Sequence, residues 1–497
     1  MVAASRPDLE AYRLMCAGRL TEALEFAERA VAGERGCVRA HGMLATILLR
    51  LGRASEAERV VRQALECRPG EADAYDGLAH VSMLLGQHER SNALYRRVAE
   101  LAPDTARFWY NLASSERSFG RLAEAEAACE RAIQLDSSQY PSYLLRSELR
   151  VQTRESNHIE ELRRLLARPQ NEDRARMFLG YALGKELDDL ERFDEAFPCF
   201  ADAARTRRRH LAYDVTLDER KMQRIREVFS DPPAGRATGR IDSSRHLFIV
   251  GLPRSGTTLV ERILLGLSGV SSNGETDHFS ESLVAASPPQ GADVFARAAM
   301  ADPDSVAARY ATLADSAGRG GKIIEKLPMN YLYLGAIHRA LPDAKLILVT
   351  RSPLDSCFAM YRTLFGAAYP FSYDFVDLAR YYHAYQALVS HWRASFGENI
   401  HEIVYEELVK DPPRLGAALA QHSGLAWSEQ AIEVQKSAAV SLTASAAQIR
   451  RPIYGSSSGR WRHYRAHLEP LIRALRDRGV ALPSDAWSGR RPGSRRP

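Results

Sequence analysis

The stretch Phe248 to Thr258, FIVGLPRSGTT, decides how the second half of this chain is read. Leu247 to Val250 form a continuous apolar run, the pattern of a parallel strand covered on both faces. Gly251 and Gly256 bracket a turn whose backbone N–H groups can approach an anion, and the helix expected from Thr258 through Leu265 adds its positive N-terminal end. The hydroxyls of Ser255, Thr257 and Thr258 and the cation of Arg254 suit a single phosphate or sulfate group. Thr257 stands where a nucleoside-triphosphatase loop, G-x-x-x-x-G-K-[ST], carries its lysine, so the loop is poorly suited to a leaving triphosphate. By spacing alone, a plain Gly-Ser-Thr turn fits the same residues.

Working outward, apolar strands at Leu247 to Val250, Gly321 to Glu325, Lys345 to Thr350 and Ile400 to Tyr405 alternate with helical stretches. That order predicts an α/β domain with a parallel sheet and helices on both faces. A short strand at Val270-Ser271-Ser272 would deliver Glu275 beside the phosphate loop, about 20 residues on. Lys326 follows the strand run Ile323-Ile324, and Arg351 ends the strand Ala344 to Thr350, where open α/β sheets place their sites. A carboxylate and a lysine here suit in-line displacement, which needs a base for the acceptor proton and a cation for the leaving oxygen. Each has a plainer reading: Glu275 as a helix N-terminal carboxylate on Asp277–Ser282, and Lys326 as a solvated strand-end lysine.

Several segments together resemble sulfotransferases that use 3'-phosphoadenosine 5'-phosphosulfate (PAPS). Pro253-Arg254-Ser255-Gly256-Thr257-Thr258 is similar to their 5'-phosphosulfate loop. Gly274-Glu275-Thr276 and Glu325-Lys326-Leu327-Pro328 resemble the stretches that hold the catalytic glutamate and lysine of protein-tyrosine sulfotransferases. Leu346 to Arg351 resembles the strand ending in the arginine that binds the donor's 3'-phosphate. Ser445-Ala446-Ala447-Gln448, Pro452 and Gly459-Arg460-Trp461-Arg462 are similar to the closing segment and nucleotide-binding loop. The likeness spans about Leu247 to Leu475. It implies PAPS as co-substrate without a metal, Glu275 as base, and Lys326 and Ser445 on the transferring group. It further implies Pro253 to Thr258 on the 5'-phosphosulfate, and Arg351 with Arg460 on the 3'-phosphate. Eight residues after Arg351, where the family commonly has a serine, stands Ala359; Ser352 or Ser356 is the candidate substitute for that hydroxyl. A peptide or protein tyrosine is the acceptor the resemblance implies.

The first half repeats. Gly18, Gly52, Gly86 and Gly120 are 34 residues apart, as are Leu44, Leu78 and Leu112, and the pattern resembles tetratricopeptide repeats. Ala57, Val61 and Ala64 share a helix face, as do Ala125, Cys129 and Ala132; a looser pair falls at Ala182 to Ala204. Such an array is expected to bind a peptide or protein acceptor, or otherwise to support or dimerise the second domain as a homodimer. The expected domains are a repeat array over 1–230, a Pro/Gly-rich linker over 231–244, a sulfotransferase domain over 245–480 and a basic, disordered tail over 481–497.

The 497 residues, 45% hydrophobic and 26% charged, suffice for two cores. A formal charge of +5 is too mild, without basic blocks among aromatics, for a nucleic-acid partner. The six cysteines form no CxxC pair, the histidines show no metal spacing, and no apolar run is long enough to span a membrane. Residues 1–15 lack the pattern of a secretory signal, and a cytoplasmic enzyme is expected. Two rival readings are a nucleotide kinase-like P-loop enzyme, which should have a lysine at Thr257, and a catalytically degenerate repeat scaffold, which Ala359 favours.

Overall fold

The four glycines spaced by 34 residues all take left-handed φ values, +75° at Gly18, +73° at Gly52, +72° at Gly86 and +78° at Gly120. In each turn the glycine N–H bonds a carbonyl three residues back and the next N–H one five back, as in Gly52 to Leu49 and Arg53 to Leu48. This Schellman closure ends the first helix of each pair, and glycine adopts it without a Cβ penalty.

The computed structural model of the protein describes residues 7–33, 38–67, 70–168, 172–230, 236–239, 241–315, 320–436, 440–441, 443, 446–455 and 457–486. The chain divides into two compact units, Met1–Leu149 and Arg150–Pro497. In the first, helices pair as α1 (Pro7–Cys16) with α2 (Leu20–Gly33), α3 (Val38–Arg50) with α4 (Ala54–Glu66), α5 (Ala72–Leu84) with α6 (His88–Leu101), and α7 (Ala106–Phe119) with α8 (Leu122–Leu135), followed by α9 (Tyr140–Leu149). Small side chains carry the packing: Ala57, Val61, Ala64, Ala125, Cys129 and Ala132 are wholly buried.

The second unit opens with α10 (Ile159–Leu166), α11 (Asp173–Asp189), α12 (Phe193–Arg209) and α13 (Val215–Val228). The helical pattern of 159–228 groups these with the repeats, yet they pack onto the sheet-bearing unit, and the division of the chain precedes the stretch 231–244. Tyr181 donates to the Tyr361 carbonyl at 3.1 Å, Arg208 pairs with Asp377 at 2.9 Å, and Arg380 pairs with Glu219.

The described residues form a five-stranded parallel sheet of β1 (His246–Gly251), β2 (Val270–Ser272), β3 (Lys322–Glu325), β4 (Lys345–Thr350) and β5 (Ile400–Val404), ordered β2-β3-β1-β4-β5. Every residue of β1 is buried, as its unbroken apolar run requires. On one face Leu247 and Ile249 meet Val260, Ile263 and Leu264 of α14 (Thr257–Leu265). On the other, Phe248 stacks edge-on to Phe279 at 5.9 Å and against Tyr310 at 5.5 Å. After β1 the chain moves toward β3 and β2, and after β4 toward β5. The carboxyl ends of β1 and β4 therefore flank the switch point, where such sheets open a crevice.

Candidate active site

The loop between β1 and α14 lies at that switch point. Ser255 N–H closes onto the Leu252 carbonyl at 3.2 Å, and Arg254 is held at φ +67°, a conformation that costs a non-glycine residue energy. Gly256 begins α14 at φ +110°, and a Cβ there would stand 2.4 Å from the Tyr405 ring. The loop is thus pressed against the end of β5, and only glycine fits. Pro253, Ser255, Thr257 and Thr258 are buried. Arg254 Nη2 donates to Gln448 Oε1 at 2.7 Å, which fastens the loop to the segment carrying Ala446 and Ala447.

Arg351, one residue beyond β4, bridges two loops. Its Nη1 donates to the Arg254 carbonyl at 3.0 Å and its Nη2 to the Ser457 carbonyl at 2.5 Å. The guanidinium lies 4.8 Å from the centre of the Tyr405 ring, whose hydroxyl meets Ser457 Oγ at 2.6 Å. Arg351 Nε, Ser352 Oγ and Ser255 Oγ are buried and make no hydrogen bond among the described residues. Ser356, the candidate hydroxyl, is buried with its Oγ 3.5 Å from the Arg351 carbonyl.

Glu275 and Lys326, 51 residues apart in sequence, meet because β2 and β3 are neighbours. Lys326 Nζ donates to Glu275 Oε1 at 2.5 Å, and Lys326 N–H donates to the Gly274 carbonyl at 3.0 Å. Lys326 is buried, not solvated, and Glu275 precedes the helix that begins at His278 with Asp277 as its N-cap. The Glu275 side chain is 36% exposed against 1% for Lys326, so the carboxylate is the more open member of the pair. A second carboxylate, Glu261 of α14, lies 3.7 Å from Lys326 Nζ. Burial, with the charges of Glu275 and Asp277, pushes the Tyr369 phenol up to about 12, keeping it protonated near Glu275. His278 is held below the usual histidine range by burial.

Arg460, expected on the donor's 3'-phosphate, is paired within the protein. Its guanidinium pairs with the Asp188 carboxylate of α11 at 2.8 Å and bonds the Asp188 carbonyl at 2.9 Å. Asp188 also binds Arg362 at 2.6 Å and the Tyr464 hydroxyl at 2.5 Å. Burial alone would push the Asp188 carboxyl up; the charges of Arg362 and Arg460 outweigh it and hold the group below the usual carboxylate range. Through these contacts Arg460 ties the 459–464 segment to α11. Asp355, in the helix Pro353–Tyr361, fixes the same segment by accepting the N–H groups of Gly459 at 2.6 Å and Trp461 at 3.3 Å. Ser445 lies outside the described residues, as does the tail from Gly489 to Pro497.

The sequence reading passed over Glu261, Asp355, Asp188 and Tyr405. Glu261 had a signal, a carboxylate one helical turn beyond Thr257 on the apolar loop helix. Asp355 had one in its place on the first turn after Arg351. Asp188 had none, its partners being 174 to 276 residues away.

Among the described residues no group of His, Cys, Asp and Glu could hold a metal ion, and no helix is long and apolar enough to cross a membrane. Residues 246–429 match the model of the sulfotransferase family, and residues 14–81 and 78–140 match tetratricopeptide-repeat models. An uncharacterized protein of Aquifex aeolicus is 28% identical over 378 residues, 72% of this chain and 49% of that protein, so the chain spans about half the length of that relative. The sulfotransferase domain of the Synechococcus PCC 7002 olefin synthase is similar at 17% identity and TM-score 0.36, over 51% of this chain and 99% of that one. YrrB, a tetratricopeptide-repeat protein described as having an unusual peptide-binding site, is similar at 16% identity and TM-score 0.26, over 38% of this chain and 87% of its own. The chain joins tetratricopeptide repeats to a sulfotransferase-family domain built on a parallel five-stranded sheet.

Proposed function

We propose that the second unit moves a sulfuryl group from PAPS to an acceptor hydroxyl, and that the acceptor is a protein or peptide tyrosine bound by the repeats. The observation that carries the reading is the Glu275–Lys326 pair, a half-exposed carboxylate on a buried ammonium ion, at strand ends next to a phosphate-type loop. The Glu275 carboxylate takes the acceptor's hydroxyl proton as that oxygen attacks sulfur. The bond from sulfur to the bridging oxygen breaks, and the negative charge that develops on the departing 5'-phosphate is met by Lys326 and by the N–H groups at the start of α14. The products are a sulfate ester, 3'-phosphoadenosine 5'-phosphate and a proton on Glu275. Arg351 and the unpaired polar atoms around it, Arg351 Nε, Ser352 Oγ and Ser255 Oγ, suit the donor's anionic groups.

The test is sulfuryl transfer from labelled PAPS to tyrosine-containing peptides. Glu275→Ala is expected to lower turnover about 10²- to 10⁴-fold while affinity for the bisphosphate product stays within a few-fold of the parent. Transfer that survives the substitution contradicts the assignment of the base. A preference for glycan, lipid or small phenol acceptors over every tyrosine peptide contradicts the assignment of the acceptor.

A further inference from the structure

The buried lysine of the active site touches two carboxylates where the chemistry of a base and a cation asks for one. Lys326 Nζ is 2.5 Å from Glu275 Oε1 and 3.7 Å from Glu261 Oε2. Glu261 is itself placed by a short chain of hydrogen bonds. The Gly274 N–H donates to Ser272 Oγ at 2.9 Å, and Ser272 donates to Glu261 Oε1 at 2.6 Å, leaving Oε2 to face the ammonium. Lys326 N–H closes the ring onto the Gly274 carbonyl at 3.0 Å. The side chains of Glu261 and Lys326 are 9% and 1% exposed, while Glu275 is open to an acceptor. One end of this chain is fixed on α14, the helix that starts from the phosphate loop, and the other on the ends of β2 and β3.

We infer that Glu261 is a positioning residue that holds the Lys326 ammonium charged and aimed while Glu275 takes the acceptor's proton. The inference rests on the sulfotransferase reading and deepens it. A lone Glu275–Lys326 pair would be neutral, and protonating Glu275 during transfer would leave the buried ammonium without a carboxylate to hold it, with only the donor's own charge before it. A buried ammonium with no counter-ion is costly and tends to lose its proton; a second carboxylate keeps one beside Lys326 throughout. With Glu261 the trio carries one net negative charge before the proton arrives. After it arrives, Glu261 and Lys326 remain a neutral pair and Glu275 is a neutral acid. No proton leaves Lys326, so its full charge meets the phosphate oxygen. Glu261 touches neither acceptor nor donor in this scheme; it works through Lys326.

Two measurements on the full chain test this. In steady-state transfer, Glu261→Gln is expected to lower kcat about 30-fold or more while the donor KM and the affinity for 3'-phosphoadenosine 5'-phosphate change less than threefold. Glu261→Asp, which keeps the charge, is expected to recover most of the lost kcat. An unchanged kcat in Glu261→Gln, or a variant in which kcat and donor affinity fall together without rescue by Asp, overturns the inference. The second measurement does not depend on activity: NMR of lysines labelled at Cε and Nζ distinguishes the ammonium of Lys326 from its amine. In Glu275→Gln the ammonium is expected to persist at neutral pH, and in the Glu261→Gln/Glu275→Gln double variant the amine is expected. An amine in the single variant, or an ammonium in the double, overturns it. Wild-type protein that transfers nothing to any acceptor contradicts the sulfotransferase reading alone, and the NMR comparison still decides what Glu261 does to Lys326.

Discussion

Glu325, next to Lys326, is wholly buried, and its Oε1 accepts from Asn330 Nδ2 at 3.1 Å. Burial pushes its carboxyl from an ordinary 4.5 up to about 8. The folded chain therefore keeps a proton that the unfolded chain has released, so stability falls as pH rises from about 4.5 to about 8 and levels off above. Glu325→Gln, which cannot ionise, is expected to lose this slope and to be the more stable protein at pH 8, by roughly 5 kcal/mol at most. Thermal melts at pH 5 and pH 8 check it; a melting-temperature difference between the two proteins that does not grow with pH contradicts it. At this scale the sequence was legible in which residues stand at strand ends. Glu275, Lys326 and Arg351 follow β2, β3 and β4 of one parallel sheet, so all three lie at its carboxyl ends, and the adjacency of β2 and β3 brings the first two together. The pairing of Arg460 was not legible, because its partner is a carboxylate 272 residues upstream.

The same closure that ends the first helix of each repeat recurs between α11 and α12, without a glycine. Glu191 N–H bonds the Asp188 carbonyl at 3.1 Å, Arg192 N–H bonds the Leu187 carbonyl at 2.9 Å, and Glu191 is held at φ +59°. The looser repeat over 182–204 is thus a fifth copy of the turn in which an exposed glutamate bears left-handed strain. Glu191→Gly is expected to stabilise the protein by about 0.5–1 kcal/mol, relief of strain exceeding the entropy that glycine adds to the unfolded chain. A denaturant midpoint unchanged or lowered by the substitution would contradict this. Gly256→Ala should act in the opposite sense. It needs a left-handed alanine whose Cβ meets the Tyr405 ring at 2.4 Å, so the loop must shift; a loss of bisphosphate affinity of at least tenfold is expected by calorimetry. Strands and glycine turns were legible because the apolar run and the 34-residue period are local signals. The substitute Glu191 carried no such signal.

What helical periodicity does not reveal is which surface a helix pair meets. The 182–204 pattern shows two faces packing together, as Ala196, Phe200 and Ala203 do, and is silent on α11 and α12 joining the sheet-bearing unit. Asp188 shows the energetic weight of that union, since one buried carboxylate pairs with two arginines and a tyrosine. Asp188→Asn leaves both guanidinium groups without their counter-ion, and a loss on the order of 3–5 kcal/mol is expected in chemical denaturation. A loss below about 1 kcal/mol would show that the cluster is solvated in solution. Its low folded-state pKa adds a sign: the stability it supplies is present above pH 4 or so and is lost as pH falls further. The proposed donor site lies at the switch point between β1 and β4. Calorimetric titration of the whole chain with 3'-phosphoadenosine 5'-phosphate, beside ATP, tests it most directly. The bisphosphate is expected to bind more tightly than ATP and to weaken by about 30-fold or more in Arg351→Ala, in line with ~2 kcal/mol for charged hydrogen bonds. No binding of the bisphosphate, or binding indifferent to Arg351, would contradict it.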